Sequence, residues 1–341
     1  MRPRIAVFYG GEAANHDLSM ETGTWVCQYV PRGEYDITPI EVTSQGKWKV
    51  PLGNLPRSGS VTTTLKRLSE AVKPVIPAEG INRLLSRPID GVVTVVRGHG
   101  GDDGALHSFG SLINAAVAGS PLAACQQTSD KYAFNQSVSD IVNTPYTQRF
   151  SKKMSVDSIV SEIQEDFLPP LFLKPATQEG SFGIEHVESP HQLKAAVSRI
   201  VTTSDLIAQE ALPGTEYAVS VAQDERGKIH TLPSVAVHPT KASFYDHLAK
   251  RRDGRVQLHT ADHSPITEEL EEIAQEIYEE LGCRGVVTMD FVVNGDDISI
   301  LEANTVPTLS SHTPLVQQLK AGGLHPSILL GNTIRRSLEE R

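Results

Sequence analysis

Cysteine is scarce in this chain: Cys27, Cys125 and Cys283 stand far apart and lack CxxC or Cys/His ligand spacing. That argues against a disulfide framework and against structural zinc. Long hydrophobic runs are missing as well, so no segment reaches membrane-spanning length. The opening Met1-Arg2-Pro3-Arg4 leads into a short apolar run, Ile5 to Phe8, which is no signal-peptide core. A basic excess is also missing. The net charge of -10 argues against nucleic acid or an anionic membrane as main partner, because either needs clustered Lys and Arg. There is no internal repeat, and no Gly-Lys-Ser/Thr ending marks a Walker loop. What remains is a soluble α/β composition, expected in a reducing cytoplasm, and 341 residues predict two or three compact units.

The apolar run Arg4 to Tyr9 predicts a buried first strand, ended by Gly10-Gly11 before a helix near Ser19 to Val30. Tyr35 to Val42 and Gly91 to Val96 predict further strands, with a polar helix near Thr63 to Val72. The Gly91 strand delivers the Gly-rich turn Arg97 to Gly104 at its carboxyl end, where open α/β sheets gather ligands. A smaller α+β pattern follows: helix Ser155 to Gln164, strand Leu171 to Lys174 and helix Pro190 to Thr202. Beyond Leu212-Pro213-Gly214, strands are expected at Tyr217 to Ala222 and Ser234 to Val237. Residues 241–264 read as a long polar loop, which in a compact domain suits a lid or a disordered segment. Helix Glu268 to Leu281 and strands Val286 to Val293 and Ile298 to Ala303 close the pattern with a helical tail.

Three stretches carry chemistry. Asp290, Glu302 and Asn304 lie on two strands of an expected hairpin, and residues two apart on a strand share a face. Such oxygen ligands suit magnesium bridging nucleotide phosphates, although carboxylates on a hairpin equally suit a solvated face. Lys174 ends a buried strand that runs into a Gly/Ser turn, Gly180 to Gly183. Backbone N–H groups and the Ser181 hydroxyl there can close over phosphate oxygens, and a plain turn is the alternative. Ile207 to Glu216 brings an apolar strand end with Gln209 and Leu212 to a turn, where backbone groups can meet an adenine edge and Glu216 ribose hydroxyls.

In this order the stretches resemble the ATP-grasp superfamily, and the whole chain is similar to the D-alanine–D-alanine ligase family. The marks are Gly10-Gly11 with Ser19, His99 to Gly104, Ser129-Asp130-Lys131, and Lys174-Pro175 with Gly180-Ser181 and Gly183. Further along come Gly214 to Glu216, Phe244 to Lys250, Gly282 to Gly285, and Met289-Asp290 with Glu302, Asn304 and Pro307. The resemblance implies three units: an N-terminal Rossmann-like α/β domain over 1–122, a small central α+β domain over 123–211 with the phosphate loop, and a C-terminal catalytic α+β domain over 212–341. The lid would span about 241–264. Lys131 and Lys174 would hold ATP phosphates, with Gly180 and Ser181 on the closing loop. Gln209, Leu212 and Glu216 would contact adenine and ribose. Asp290, Glu302 and Asn304 would bind two Mg2+ ions, with Mn2+ as a substitute. Lys250 and Tyr245 on the lid, with Ser181 and Arg97, would serve catalysis. Closure would exclude water from an acyl phosphate that hydrolyses readily. A homodimer making a dipeptide for peptidoglycan precursors follows from the same likeness.

The substrate positions depart from the family pattern. Asn15 stands where a glutamate binds the first substrate's amine, Arg97 where a histidine opens the Gly-rich motif, and Thr288 where an arginine stabilises the oxyanion. Thr308 replaces a glycine whose N–H serves the same oxyanion, and Thr313 replaces the serine that holds the second substrate's carboxylate. The nucleotide and metal positions are largely kept, which points to an altered substrate pocket. Arg97, Arg251 or Arg252 can supply the missing cation from another direction, and surface arginines on a loop are the alternative. Two other readings stay open: a related ligase joining other amino or hydroxy acids, and a non-catalytic ATP-binding homologue.

Overall fold

The computed structural model describes residues 2–11, 15–98, 100–177, 183–240 and 256–341. The first strand, β1 (Arg4–Gly10), is buried at every position, as a strand covered on both faces of a parallel sheet must be. It leads through α1 (His16–Tyr29) to β2 (Asp36–Val42), then β3 (Trp48–Lys49), α2 (Val61–Ala71), α3 (Pro77–Leu85), β4 (Gly91–Thr94), α4 (Ala105–Leu112) and β5 (Ala116–Ala118). The sheet order is β3-β2-β1-β4-β5, with β2 and β4 both parallel to β1. The turn after β1 requires glycine: Gly10 has φ +91°, and a Cβ there would lie 2.1 Å from the Val42 carbonyl oxygen. Ser19 locks that turn to the next strand end, accepting from the Gly10 N–H at 2.9 Å and donating to the Val95 carbonyl.

Two short helices, α5 (Leu122–Ser129) and α6 (Lys131–Val138), lead to a second sheet made of β6 (Thr147–Phe150), β7 (Leu171–Pro175), β8 (Glu185–Val187) and β9 (Leu206–Glu210), with α7 (Val156–Asp166) and α8 (Pro190–Ile200) packed on it. Its order is β6-β9-β7-β8, antiparallel throughout. The alternation of β7 buries Leu171 and Leu173 under α7 and α8 and leaves Phe172 and Lys174 on the opposite face. Ser155 caps α7, and Ser189 with Gln192 forms a capping box on α8.

The third sheet contains β10 (Thr215–Gln223), β11 (Ile229–Thr231), β12 (Val235–Pro239), β13 (Val256–Thr260), β14 (Val286–Asn294) and β15 (Asp297–Asn304), with helices α9 (Pro265–Glu280), α10 (Pro314–Ala321) and α11 (Pro326–Glu339). The expected polar loop over 241–264 is partly a strand: β13 pairs with β12, and residues 241–255 lie outside the described residues. Two segments pack outside the unit in which the sequence put them. Ala124, Phe134 and Val138 of α5 and α6 join the core beneath β14 and β15. Leu329, Leu330 and Ile334 of α11 return to the core of the first sheet beside Ile5, Val7 and Val93.

Candidate active site

Where β7 and β9 of the second sheet face β10, β14 and β15 of the third, a cleft of about 330 Å³ opens. Lys174, Gln209, Leu212, Glu216, Asp290 and Glu302 all line it. Lys174 and Gln209 share a face of the antiparallel pair, so the Lys174 Nζ donates to Gln209 Oε1 at 2.5 Å. Gln209 is 2% exposed and is held from behind by its Nε2 bond to Thr147 Oγ1. Lys131 opens α6, which Asp130 caps by accepting from the Tyr132 and Ala133 N–H groups. Its own N–H donates to the Ala176 carbonyl beyond β7, and its Nζ lies 3.7 Å from Glu302 Oε2. Two lysines, on α6 and β7, and two acids, on β14 and β15, thus converge from four elements on one side of the cleft. Arg149 ties this side together through Asp130 at 2.8 Å and Asp205 at 3.0 Å. The Lys152 N–H, then Arg149, hold the Asp205 carboxyl below its usual range.

The hairpin of β14 and β15 supplies the acids because of its alternation. Met289, Phe291 and Ala303 are buried, whereas Asp290 and Glu302 face the cleft half-buried and Asn304, also half-buried, lines the smaller cavity beside it. Asp290 and Glu302 are direct cross-strand partners, and the register shifts immediately after Asp290. Bulges of this kind re-aim side chains. Like charges directly opposed destabilise a sheet, so the pair suits a cation between them. Two carboxylates and one amide oxygen form a hard donor set of the type that takes a divalent ion such as Mg2+. Among the described residues no group of three His, Cys, Asp or Glu side chains is set to hold a metal; Asn304 completes this set.

A second, smaller cavity of about 60 Å³ adjoins the first, and Asp290 lines both. Arg97, Thr288, Asn304, Thr308 and Thr313 form its polar walls. Thr313 stands at the N-cap position of α10, its hydroxyl bonded back to Ser310, and lines the cavity at that helix N-terminus. Thr288 turns the other way: its hydroxyl meets Ser220 Oγ at 2.8 Å, and Ser220 donates to Gln318 Oε1 at 2.6 Å. Asn15 sits at the start of α1, 2% exposed, one turn before Leu18, which lines the cavity.

The model of the family described as D-ala D-ala ligase C-terminus matches residues 138–335, and that described as D-ala D-ala ligase N-terminus matches residues 4–120. The chain belongs to the D-alanine–D-alanine ligase family. It is an ATP-dependent ligase with the ATP-grasp fold. It is 26% identical to a D-alanine–D-alanine ligase of Deinococcus radiodurans over 100% of both chains, and 25% identical to one of Prosthecochloris aestuarii over 99% of this chain and 98% of that one. Among solved structures it resembles a D-Ala:D-Ser ligase of Enterococcus faecalis, with a TM-score of 0.83, 24% identity and coverage of 99% and 100%. The D-alanine–D-alanine ligase of Coxiella burnetii gives a TM-score of 0.80 at 18% identity over 99% and 96%.

Within this family frame, Gly180, Ser181, Tyr245, Lys250, Arg251 and Arg252 lie outside the described residues. Sequence reasoning missed the aromatic wall of the cleft, where the Phe172 and His186 rings stack 4.8 Å apart and Lys174 Nζ lies 5.4 Å from the Phe172 centroid. The signal was an aromatic on the polar phase of β7. It also missed a buried group beyond Arg97: His107 touches Cys125 Sγ at 3.9 Å, and burial lowers the imidazole to about 4 and raises the Cys125 thiol to about 11. No helix among the described residues is long and apolar enough to cross a membrane.

Proposed function

We infer that the chain joins two D-alanine molecules, with ATP and Mg2+, into a dipeptide for peptidoglycan precursors. The observation that carries this is Asp290, which lines both the nucleotide-sized cleft and the small polar cavity and so stands where a phosphoryl group would pass between them. The donor carboxylate takes the terminal phosphoryl group, ADP leaves, and the acceptor amine then displaces phosphate from the acyl phosphate while losing a proton. Lys131 and Lys174 hold and neutralise the phosphates. Phe172, His186, Gln209, Leu212 and Glu216 seat the nucleoside. Asp290, Glu302 and Asn304 would hold two Mg2+ ions, which screen phosphate charge when bound. Thr313 at the α10 N-terminus receives the acceptor carboxylate, since helix N-termini favour anions. By the family resemblance, Gly180 and Ser181 would serve the phosphates and Tyr245 and Lys250 catalysis. A cytoplasmic homodimer, implied by the family resemblance, completes the reading.

A second reading, a ligase for other amino or hydroxy acids, is favoured by the neutral Asn15 and the permanent cation Arg97 beside the small cavity. Phosphate release with MgATP across D- and L-amino acids and D-hydroxy acids, singly and in pairs, decides. Stimulation by D-alanine alone supports the first reading. Stimulation only by another acid replaces it with the second, and tight ATP binding without stimulated release would make the chain a non-catalytic homologue.

A further inference from the structure

The small cavity owes its buried cation to the first sheet, not to the strands that carry the metal ligands. Arg97 follows β4, is 5% exposed, and reaches across to the end of β15. Its Nη1 donates to the Val306 carbonyl at 2.5 Å and to Thr308 Oγ1 at 3.2 Å; its Nη2 donates to Asn304 Oδ1 at 3.1 Å; its Nε lies 3.7 Å from Asp102 Oδ2. The Gly-rich turn aims it. Asp102 also accepts from the Gly98 N–H, and Asp103 from the Gly100 and Ala105 N–H groups, so the turn is closed by its own acids. At Gly101 the backbone passes so near the strand end that a Cβ would lie 1.9 Å from the Val96 carbonyl oxygen.

Three consequences follow. A guanidinium fixed at several points by oxygens loses little entropy on gripping one more planar anion, and its fork matches a carboxylate. The Thr308 hydroxyl, its longest neutral partner, can rotate to share or yield that position. Finally, Thr288 on the facing strand is already engaged with Ser220, so the charge for this cavity comes from the opposite wall. We propose that Arg97 is the cation of the acyl-donor pocket, receiving the donor carboxylate and then facing the oxygen on which negative charge collects when the amine adds. The same guanidinium also fixes the Asn304 side chain through its amide oxygen.

The proposal rests on the ligase reading, and its test separates the two. Hydroxylamine in place of the acceptor traps the acyl phosphate as a hydroxamate, so donor activation is read without the acceptor site. With D-alanine and MgATP, Arg97→Ala should lose about 10²–10³-fold in kcat/KM for the donor, the range for one oxyanion donor. The KM for MgATP should stay within about threefold. Methylguanidine should restore at least about tenfold in that variant and nothing in the wild type, and Arg97→Lys should fall between, keeping charge without the fork. A loss carried equally by the KM for ATP, without rescue, would reduce Arg97 to a structural tie and overturn the proposal. Calorimetric titration with D-alanine and D-alaninamide, in Mg2+ and a non-hydrolysable ATP analogue, runs beside it. Arg97→Ala should lose at least about tenfold of the preference for the carboxylate; a preference kept in full overturns the assignment whether or not the protein turns over. A wild type that makes no hydroxamate yet shows an Arg97-dependent preference overturns the ligase reading alone.

Discussion

The two halves of the site differ in how they were built. The larger cleft, proposed for the nucleotide, is assembled from side chains standing on strand faces, with Lys174 on β7, Gln209 on β9, Glu216 on β10, and Asp290 and Glu302 on the hairpin. The smaller cavity, proposed for the donor, adds turns and helix ends to that hairpin: Arg97 beyond β4, Thr308 beyond β15 and Thr313 before α10 stand beside Thr288 and Asn304 of β14 and β15. Strand faces constrain each position by alternation, so a functional side chain keeps both its place and its direction. Turns let a charge arrive from either wall, and a different residue can then occupy the same space. A departure from the family pattern is therefore far easier to accommodate at Arg97 than at Lys174.

Removing the residue common to both halves tests that contrast most severely. Asp290→Asn and Glu302→Ala should each lower turnover at least about 10³-fold, because two effects are lost together, metal charge and phosphate alignment. Their melting temperatures should stay within a few degrees, since half-buried carboxylates contribute little packing; phosphate release and circular dichroism give the two numbers. Turnover near wild type would dissolve the link between the cavities.

The next effect concerns stability and lies outside both cavities. His107 lies on α4, directly after the Arg97 turn, and burial lowers its imidazole from 6.5 to about 4. A depressed folded value means that the unfolded chain binds the proton first. The stabilisation is therefore complete above pH 6.5 and is lost as pH falls toward 4, up to about 3 kcal/mol. Urea melts between pH 7 and 4 should show that slope, and His107→Gln should flatten it. The buried thiols act at the other limit: Cys125, pushed up to about 11, and Cys283, to about 12, stay protonated in the fold, so stability declines as pH rises above 9.

Smaller effects separate the halves cleanly. Lys174→Ala should raise the KM for MgATP about 10–100-fold, the value of a lost charge-assisted bond, while the donor KM moves less than about threefold. Equal changes in both would mean that the two cavities are not independent. Thr288→Val should cost about 1 kcal/mol through the Ser220 network and leave the donor KM within about twofold; a tenfold rise would show that Thr288 touches substrate after all.

The strand-borne half was the more legible in the sequence. The hairpin of Asp290 and Glu302 and the Leu171 strand announce themselves by apolar alternation, and the register pairs the two acids directly. The exposed strand β13 was not legible, because Val256 and Leu258 are only half-buried and the rest of it is polar. Helix α3 was missed for a related reason: Gly80 and Leu84 are its buried residues, too few to print a periodic stripe. Arg97 could be singled out as a cation, but its partners at Asn304, Val306 and Thr308 lie more than two hundred positions away, beyond any local pattern. The same non-locality hid the return of α11 to the first sheet.

That return sets an order of events during synthesis. Helix α11 covers apolar side chains around β1 and β4, so those strands emerge from the ribosome long before their cover exists. The first sheet must wait half-dressed, exposing Val7 and Val93, while the second sheet, whose core is drawn entirely from its own contiguous segment, can already close. Nascent-chain folding should thus run out of sequence order, the middle of the molecule ahead of its beginning. A truncation within α11 should leave the interior sheet intact and make the opening one sticky, although no catalytic group has been touched.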